Sequence, residues 1–257
     1  MIHTLYSFYS FLFGLLVGSF LNVIILRLPQ QEDYVQTRSH CPKCKAQLKW
    51  FHNIPVFSFI FLRGKCAFCA EKISWRYPLI ELLTGFISLG LFPSDITGIT
   101  LGYFIFNFSL ACIFVCHFFI DLDHHLLLDK LNFALLVLIL PYSILTFSWH
   151  HWLVGGLIGG GSTLFITWFY YKLRGQIGLG GGDIKLYAVL GLLLGPTGII
   201  TTIFGSCMIG AVVGLILIAA KRLSADKPMA FGPSIILFGS FQIFFPEYAR
   251  ALQILLF

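Results

Sequence analysis

Charge is what this sequence has least of. Only 11% of its 257 residues are charged, and Asp and Glu together number 11. A soluble domain carries about a quarter charged residues, so a water-facing globular protein is excluded. No low-complexity tract or internal repeat breaks the chain, and no glycine-rich nucleotide fingerprint is present. What fills it is apolar: 58% of residues are hydrophobic and the mean hydropathy is +0.87. The solvent for most of the chain must be lipid.

A membrane-crossing helix needs about 20 mostly apolar residues. Tyr6–Leu26 carries no charge and meets that need. It lacks the basic start and the cleavage site of a signal peptide, so it is expected to stay as a helix. Further spans are expected at Leu79–Phe92, Thr97–Ile120, Leu131–Trp149, Trp152–Tyr171, Leu186–Ile199, Thr201–Ala220 and Phe231–Phe245. The reading is an all-α polytopic membrane protein of about eight transmembrane helices with a small zinc-binding cytoplasmic loop domain. Three parts follow: 1–27, the first helix; 28–78, the cysteine-bearing loop; 79–257, a helical bundle. With alternating spans, nearly all Lys and Arg, including Arg63, Lys130, Lys172, Lys185, Lys221 and Lys227, fall on the loop's side, and only Arg250 falls opposite. That side is then cytoplasmic and the N-terminus outside. The net charge of +6 is a topology signal that suits anionic lipid heads; the partner it implies is the bilayer, and no nucleic acid is expected.

Cys41-Pro-Lys-Cys44 and Cys66-Ala-Phe-Cys69 have the spacing of two thiolate pairs that close a tetrahedral zinc site. A metal would supply much of the folding energy of so short a loop. Disulfides are the other reading, which a cytoplasmic location disfavours. His40 and His52 are spare ligand candidates. Cys112, Cys116 and Cys207 lie in apolar spans and read as small buried residues.

Carboxylates in or near hydrocarbon are costly, so each is informative. Asp121, Asp123 and Asp129 follow the Thr97–Ile120 span, and Asp183 ends the run Gly178-Leu-Gly-Gly-Gly-Asp183. Two aspartates sharing a proton make a peptidase centre: one takes a proton from water while the other donates to the carbonyl oxygen. The glycines before Asp183 would allow close approach and unusual dihedrals. Asp123 and Asp129 read equally well as interface residues. Glu81 reads as a structural clamp to Arg76 or Lys65, or as a contact for a substrate amine. Asn22 is expected to hydrogen-bond between helices.

Taken together, Gly18-Ser-Phe-Leu-Asn22, Arg27-Leu-Pro29, the two cysteine pairs, Asn53-Ile-Pro55, Arg63-Gly64-Lys-Cys66, Arg76-Tyr-Pro-Leu-Ile-Glu81, Ile120-Asp121-Leu-Asp123 and Gly180-Gly-Gly-Asp183-Ile-Lys185 resemble the bacterial prepilin peptidase family. These are bifunctional leader peptidases and N-methyltransferases of type IV pilus and type II secretion systems. The resemblance runs along nearly the whole chain and implies that Asp121 and Asp183 are catalytic, Asp121 by its spacing from Asp129. The chain departs from the family at Leu128, where proline is usual. Further implications are a prepilin or pseudopilin leader as substrate, S-adenosylmethionine as methyl donor, and a methyltransferase function linked to the cysteine loop and Gly64. The location implied is the bacterial inner membrane, with the active site at the cytoplasmic face. Two other readings are a general intramembrane protease of the GxGD kind and a zinc-ribbon transporter or scaffold. The four cysteines disfavour the first, and acids at span ends disfavour the second.

Overall fold

The computed structural model of the protein describes residues 2–33, 38–41, 43–176, 178–222 and 229–256; Pro42 of the first cysteine pair and Lys227 lie outside them. The described residues form helices α1 (Ile2–Arg27), α2 (Phe57–Phe61), α3 (Arg76–Leu91), α4 (Gly98–His124), α5 (Asp129–Thr146), α6 (Trp149–Arg174), α7 (Gly181–Ala219), α8 (Gly232–Phe244) and α9 (Pro246–Leu256). No β-strand occurs among them, only the isolated bridges His40–Gln47 and Lys65–Lys72. Among the described residues, five helical stretches are long and apolar enough to cross a membrane: Thr4–Arg27, Gly98–His124, Asp129–Thr146, Trp149–Arg174 and Gly181–Ala219.

The interior is mixed: Ile25, Ile80, Leu135 and Ile199 are buried together with small polar residues, and large apolar side chains also cover the outside. Ser10, Thr84, Ser88, Thr163, Thr202, Ser206 and Gln242 are buried, while Phe13, Phe165, Phe204 and Leu215 are exposed. Between helices in lipid, close packing and hydrogen bonds replace the hydrophobic drive. The chain forms two compact units, Met1–Cys116 and His117–Phe257.

In the first unit α1 packs on α3 through small residues. A Cβ at Gly14 would stand 2.6 Å from Ser88 Cβ, and one at Gly18 2.7 Å from Glu81 Cα. Ser10 and Ser88 exchange hydrogen bonds there. Asn22 Nδ2 donates to Tyr77 O at 3.1 Å, the interhelical bond expected of it.

In the second unit α7 is a helical hairpin. Gly195 (φ 69, ψ −176) is non-helical and precedes Pro196. Proline has no N–H to continue the ladder. Tyr187 Oη and Ser206 Oγ are 2.5 Å apart across 19 residues, which a straight helix would hold about 28 Å apart. Gly159 of α6 touches both Tyr187 and Ile199, so the arms 181–194 and 196–219 run back to back. The outgoing arm pairs antiparallel with α8, through Gly198 with Gln242, Gly205 with Phe238 and Gly210 with Phe231. The start of α7 and the start of α8 therefore lie at one level.

Gly195 is held by its left-handed φ and by the His151 ring, which a Cβ would strike. Gly195→Ala is expected to cost about 1–3 kcal/mol and to lower the apparent melting temperature in detergent. Gly161→Ala, which would meet nothing within 4 Å, is the control and should melt like the parent.

Candidate functional site: an acid pair and a four-thiol cluster

Asp121 sits in the last turn of α4 and is buried. Its Oδ2 accepts the Gly232 N–H at 2.9 Å. Gly232 is the first residue of α8, with Pro233 behind it, and an N–H there has no partner inside its own helix. Asp183 occupies the first turn of α7 and is half-buried. Its Oδ2 accepts the Gly180 N–H at 3.0 Å. Both carboxylates thus rest on the positive ends of helices, where negative charge is stabilised. Leu127 lies against both Gly182, the residue before Asp183, and Gly232, whose N–H holds Asp121, so the two carboxylates share one end of the unit.

The close approach depends on two glycines. A Cβ at Gly182 would stand 2.6 Å from Leu127 O, and one at Gly232 2.7 Å from Asp121 Oδ2. Gly180, Gly181 and Gly182 are not among the positive-φ glycines, so the run before Asp183 provides space rather than unusual dihedrals. Asn132 Nδ2 donates to Gly182 O at 3.2 Å and ties α5 to the same end. Leu128 has φ −72 and ψ 132, close to the φ that proline would impose.

The other acids have different surroundings. Asp123 is exposed. Asp129 pairs with Lys185 Nζ at 2.6 Å on the surface. Glu81 accepts the Val56 N–H at 2.7 Å; this backbone partner was not foreseen in the pairing with Arg76 or Lys65. Two groups near the acids were also not foreseen. Gly232 was signalled only by a Gly-Pro step opening an apolar run. His117 is one helical turn before Asp121 and fully buried.

In the first unit the two cysteine pairs occupy the same turn twice. Cys41 N bonds Ala46 O and Lys45 N bonds Cys41 O; Cys66 N bonds Glu71 O and Ala70 N bonds Cys66 O. Lys45 and Ala70 both carry positive φ, and Lys43 and Glu71 bridge the turns at 3.3 Å. The sulfurs of Cys41, Cys44, Cys66 and Cys69 all lie within 4.8 Å of one another. A tetrahedral ion with Zn–S bonds of about 2.3 Å sets sulfurs about 3.8 Å apart, and Cys41 Sγ and Cys69 Sγ are 3.9 Å apart. The donor set therefore fits zinc.

All four cysteines are free of disulfides. The Phe68 N–H, followed by that of Cys69, pulls the Cys66 thiol down to about 7. The Glu71 N–H also pulls on Cys69, but desolvation and the neighbouring sulfurs hold that thiol up at about 12. Four crowded thiols do not ionise together without a cation. His52 packs against Phe51 and Phe68 instead of joining the cluster. Gly64 ends the turn after α2 with φ +66, and a Cβ on it would stand 3.1 Å from the Phe59 ring.

Comparison with known proteins gives one consistent result. Residues 12–94 match the Bacterial Peptidase A24 N-terminal domain, and residues 108–215 match the Type IV leader peptidase family. The chain is 36% identical to a prepilin leader peptidase/N-methyltransferase of Xanthomonas campestris over 252 residues, covering 88% of this chain and 86% of the relative. A protein of the same name from Neisseria gonorrhoeae is 37% identical over 253 residues, with the same coverage. One from Bacillus subtilis is 34% identical over 236 residues, covering 88% of each chain. No solved structure matches.

Gly232→Ala would displace the Asp121 carboxylate without removing any ionisable group. Misplacing a reacting group by about 1 Å can cost about 100-fold, so a fall of that order in peptide cleavage by a folded variant is the outcome expected of a reacting Asp121. Normal turnover would show that the Gly232 contact is incidental. For the thiols, protein prepared without chelators should contain one zinc per chain. Cys41→Ser should lower that content, and acid should release the metal because the ligands must be deprotonated.

Proposed function

The chain belongs to the type IV leader peptidase family, and from that membership we propose how its residues divide the work. The protein is a peptidase with N-methyltransferase activity: it removes the leader of a prepilin and methylates the new N-terminal residue. The observation that carries the residue assignment is the pair of aspartates resting on adjacent helix N-termini.

Asp121 and Asp183 are the catalytic acids in this reading. One is ionised and the other protonated, because two carboxylates in one partly dry site resist double ionisation. The ionised carboxylate takes a proton from water as that water attacks the scissile carbonyl. The protonated one donates to the carbonyl oxygen. Collapse of the tetrahedral intermediate breaks the C–N bond, and a proton passes to the departing amine. That amine is the new N-terminus of the mature substrate and the nucleophile for methyl transfer.

Methyl transfer requires S-adenosylmethionine as donor, and we associate it with the loop of residues 28–78 and with Gly64. Cys41, Cys44, Cys66 and Cys69 would hold a zinc ion that fixes the loop's fold. We place the peptidase chemistry within residues 79–257. Pseudopilins join prepilins as expected substrates.

For topology we propose eight crossings: α1, α3, α4, α5, α6, the two arms of α7, and α8. The N-terminus then lies outside and the acids at the cytoplasmic face of the bacterial inner membrane. The distribution of Lys and Arg supports this orientation.

The test measures both reactions on the same variants. Asp121→Asn and Asp183→Asn should each reduce leader cleavage by at least about 1,000-fold, since an amide cannot exchange the required proton. Both should still methylate a pre-cleaved substrate. Cys41→Ser should lose methylation before cleavage. Cleavage that survives either Asn substitution would overturn the acid assignment. A folded Cys41→Ser protein that cannot cleave would mean that the loop helps build the peptidase site.

A further inference from the structure

The loop between α1 and α3 is not uniformly polar. Between Lys49 and Arg63 the chain reads Trp-Phe-His-Asn-Ile-Pro-Val-Phe-Ser-Phe-Ile-Phe-Leu, and residues 54–62 contain no charge. Nine such residues are too few to span a bilayer but suit a re-entrant or interfacial segment. Their side chains are not folded away: Phe61 is 82% exposed, Ile60 63% and Phe57 52%. Trp75, where the loop rejoins α3, is 76% exposed. A water-facing loop would not leave such a patch bare.

The depth of this segment is fixed by hydrogen bonding and close packing. Glu81 Oε2 accepts the Val56 N–H at 2.7 Å, and a Cβ on Gly18 of α1 would stand 2.7 Å from Glu81 Cα. Gly18 lies nine residues before Arg27, about 13 Å along α1. A glutamate side chain reaches about 5 Å, roughly one helical pitch. Val56 is therefore below the end of a helix that is itself long and apolar enough to cross the membrane. Val56 also holds φ 61, unusual for a β-branched residue and restrained here by the Glu81 contact. From Val56, α2 climbs back to the start of α3, where the rings of Phe59 and Trp75 lie 4.7 Å apart.

We propose that residues 54–62 form a re-entrant apolar wedge that inserts into the bilayer at the face where α1 ends. Its occupant is lipid: acyl chains against Phe57, Ile60 and Phe61. Anionic headgroups meet Lys49, Arg63 and Lys65, the cations that bracket the run. The wedge anchors the cysteine-bearing turns in the membrane surface and holds Gly64, which packs on Phe59, at that plane. The inference rests on α1 crossing the membrane and is independent of which residues cleave or methylate.

The test places a reporter on the wedge. Phe61→Trp, with Ile60→Trp as a second site should the first misfold, is reconstituted in phosphatidylglycerol–phosphatidylcholine bilayers. Quenching is measured with lipid brominated high on its acyl chains and with aqueous acrylamide. The parent's own tryptophans, measured alone, report whether the bundle is inserted. Relative to the parent, the added emission is expected to be blue-shifted, to lose most of its intensity in brominated bilayers and to be nearly insensitive to acrylamide. Strong acrylamide quenching without lipid quenching would place the segment in water and overturn the proposal. Protection from both quenchers would also overturn it, because the patch would then be covered by protein: the second unit, another copy or a substrate helix.

Discussion

A carboxylate that leaves water for the edge of a bilayer must find its donors in the protein. In this chain the available donors are backbone N–H groups that helices cannot use themselves. Asp121 takes the N–H of Gly232 at the start of α8, and Asp183 that of Gly180 ahead of α7. The rest of the second unit serves to bring those ends to one level. The α7 hairpin returns the chain so that α8 can start beside α7, and Gly205 lets the Phe238 ring settle between α8 and the outgoing arm. Gly182 then admits the turn at Leu127, which leads away from Asp121.

The same constraint separates the competing chemistries. A transporter coordinating cations would set its acids beside unwound helix segments near the middle of the membrane. The one unwound point in α7 is Gly195, 12 residues from Asp183, and it contacts His151 rather than an acid. The acids instead rest on helix N-termini.

Rare residue types were the legible part of the sequence. In a chain with 11 acids, Asp121 and Asp183 stand out, and two CxxC pairs point to one cluster. The two arms of α7 were legible as separate spans, but the turn falls at Gly195-Pro196, inside the expected Leu186–Ile199 span rather than at its end. The less legible features depend on tertiary distance. Gly232 looks like any helix-opening glycine until Asp121 is placed beside it. The glycines before Asp183 suggested both close approach and unusual dihedrals; Gly182 gives the first, against a residue, Leu127, that only folding brings there, and Gly180, Gly181 and Gly182 do not show the second. Glu81 invited a cationic partner, yet its ligand is the N–H of Val56, an apolar residue. Residues 54–62 passed as ordinary loop because they are too short to score as a span and were judged by the charges around them.

The two reactions need not share a site, and the physical state of the substrate explains why. In the reading proposed above, cleavage produces an amine on a chain that stays in the bilayer when its N-terminal segment is a helix of about 20 apolar residues. The product cannot diffuse into bulk water; it is confined to the membrane plane with its new amine at the surface. Confinement raises the effective concentration of that amine at any second site in the plane, as a tether does. What the second site requires is position at the membrane surface and a neutral amine, whose usual pKa of about 8 leaves a usable unprotonated fraction near neutrality. In the wedge proposed above, a loop pinned to α3 through Glu81 and Val56 meets the first requirement. The separation of aspartates and thiolates along the chain is therefore consistent with one substrate visiting both.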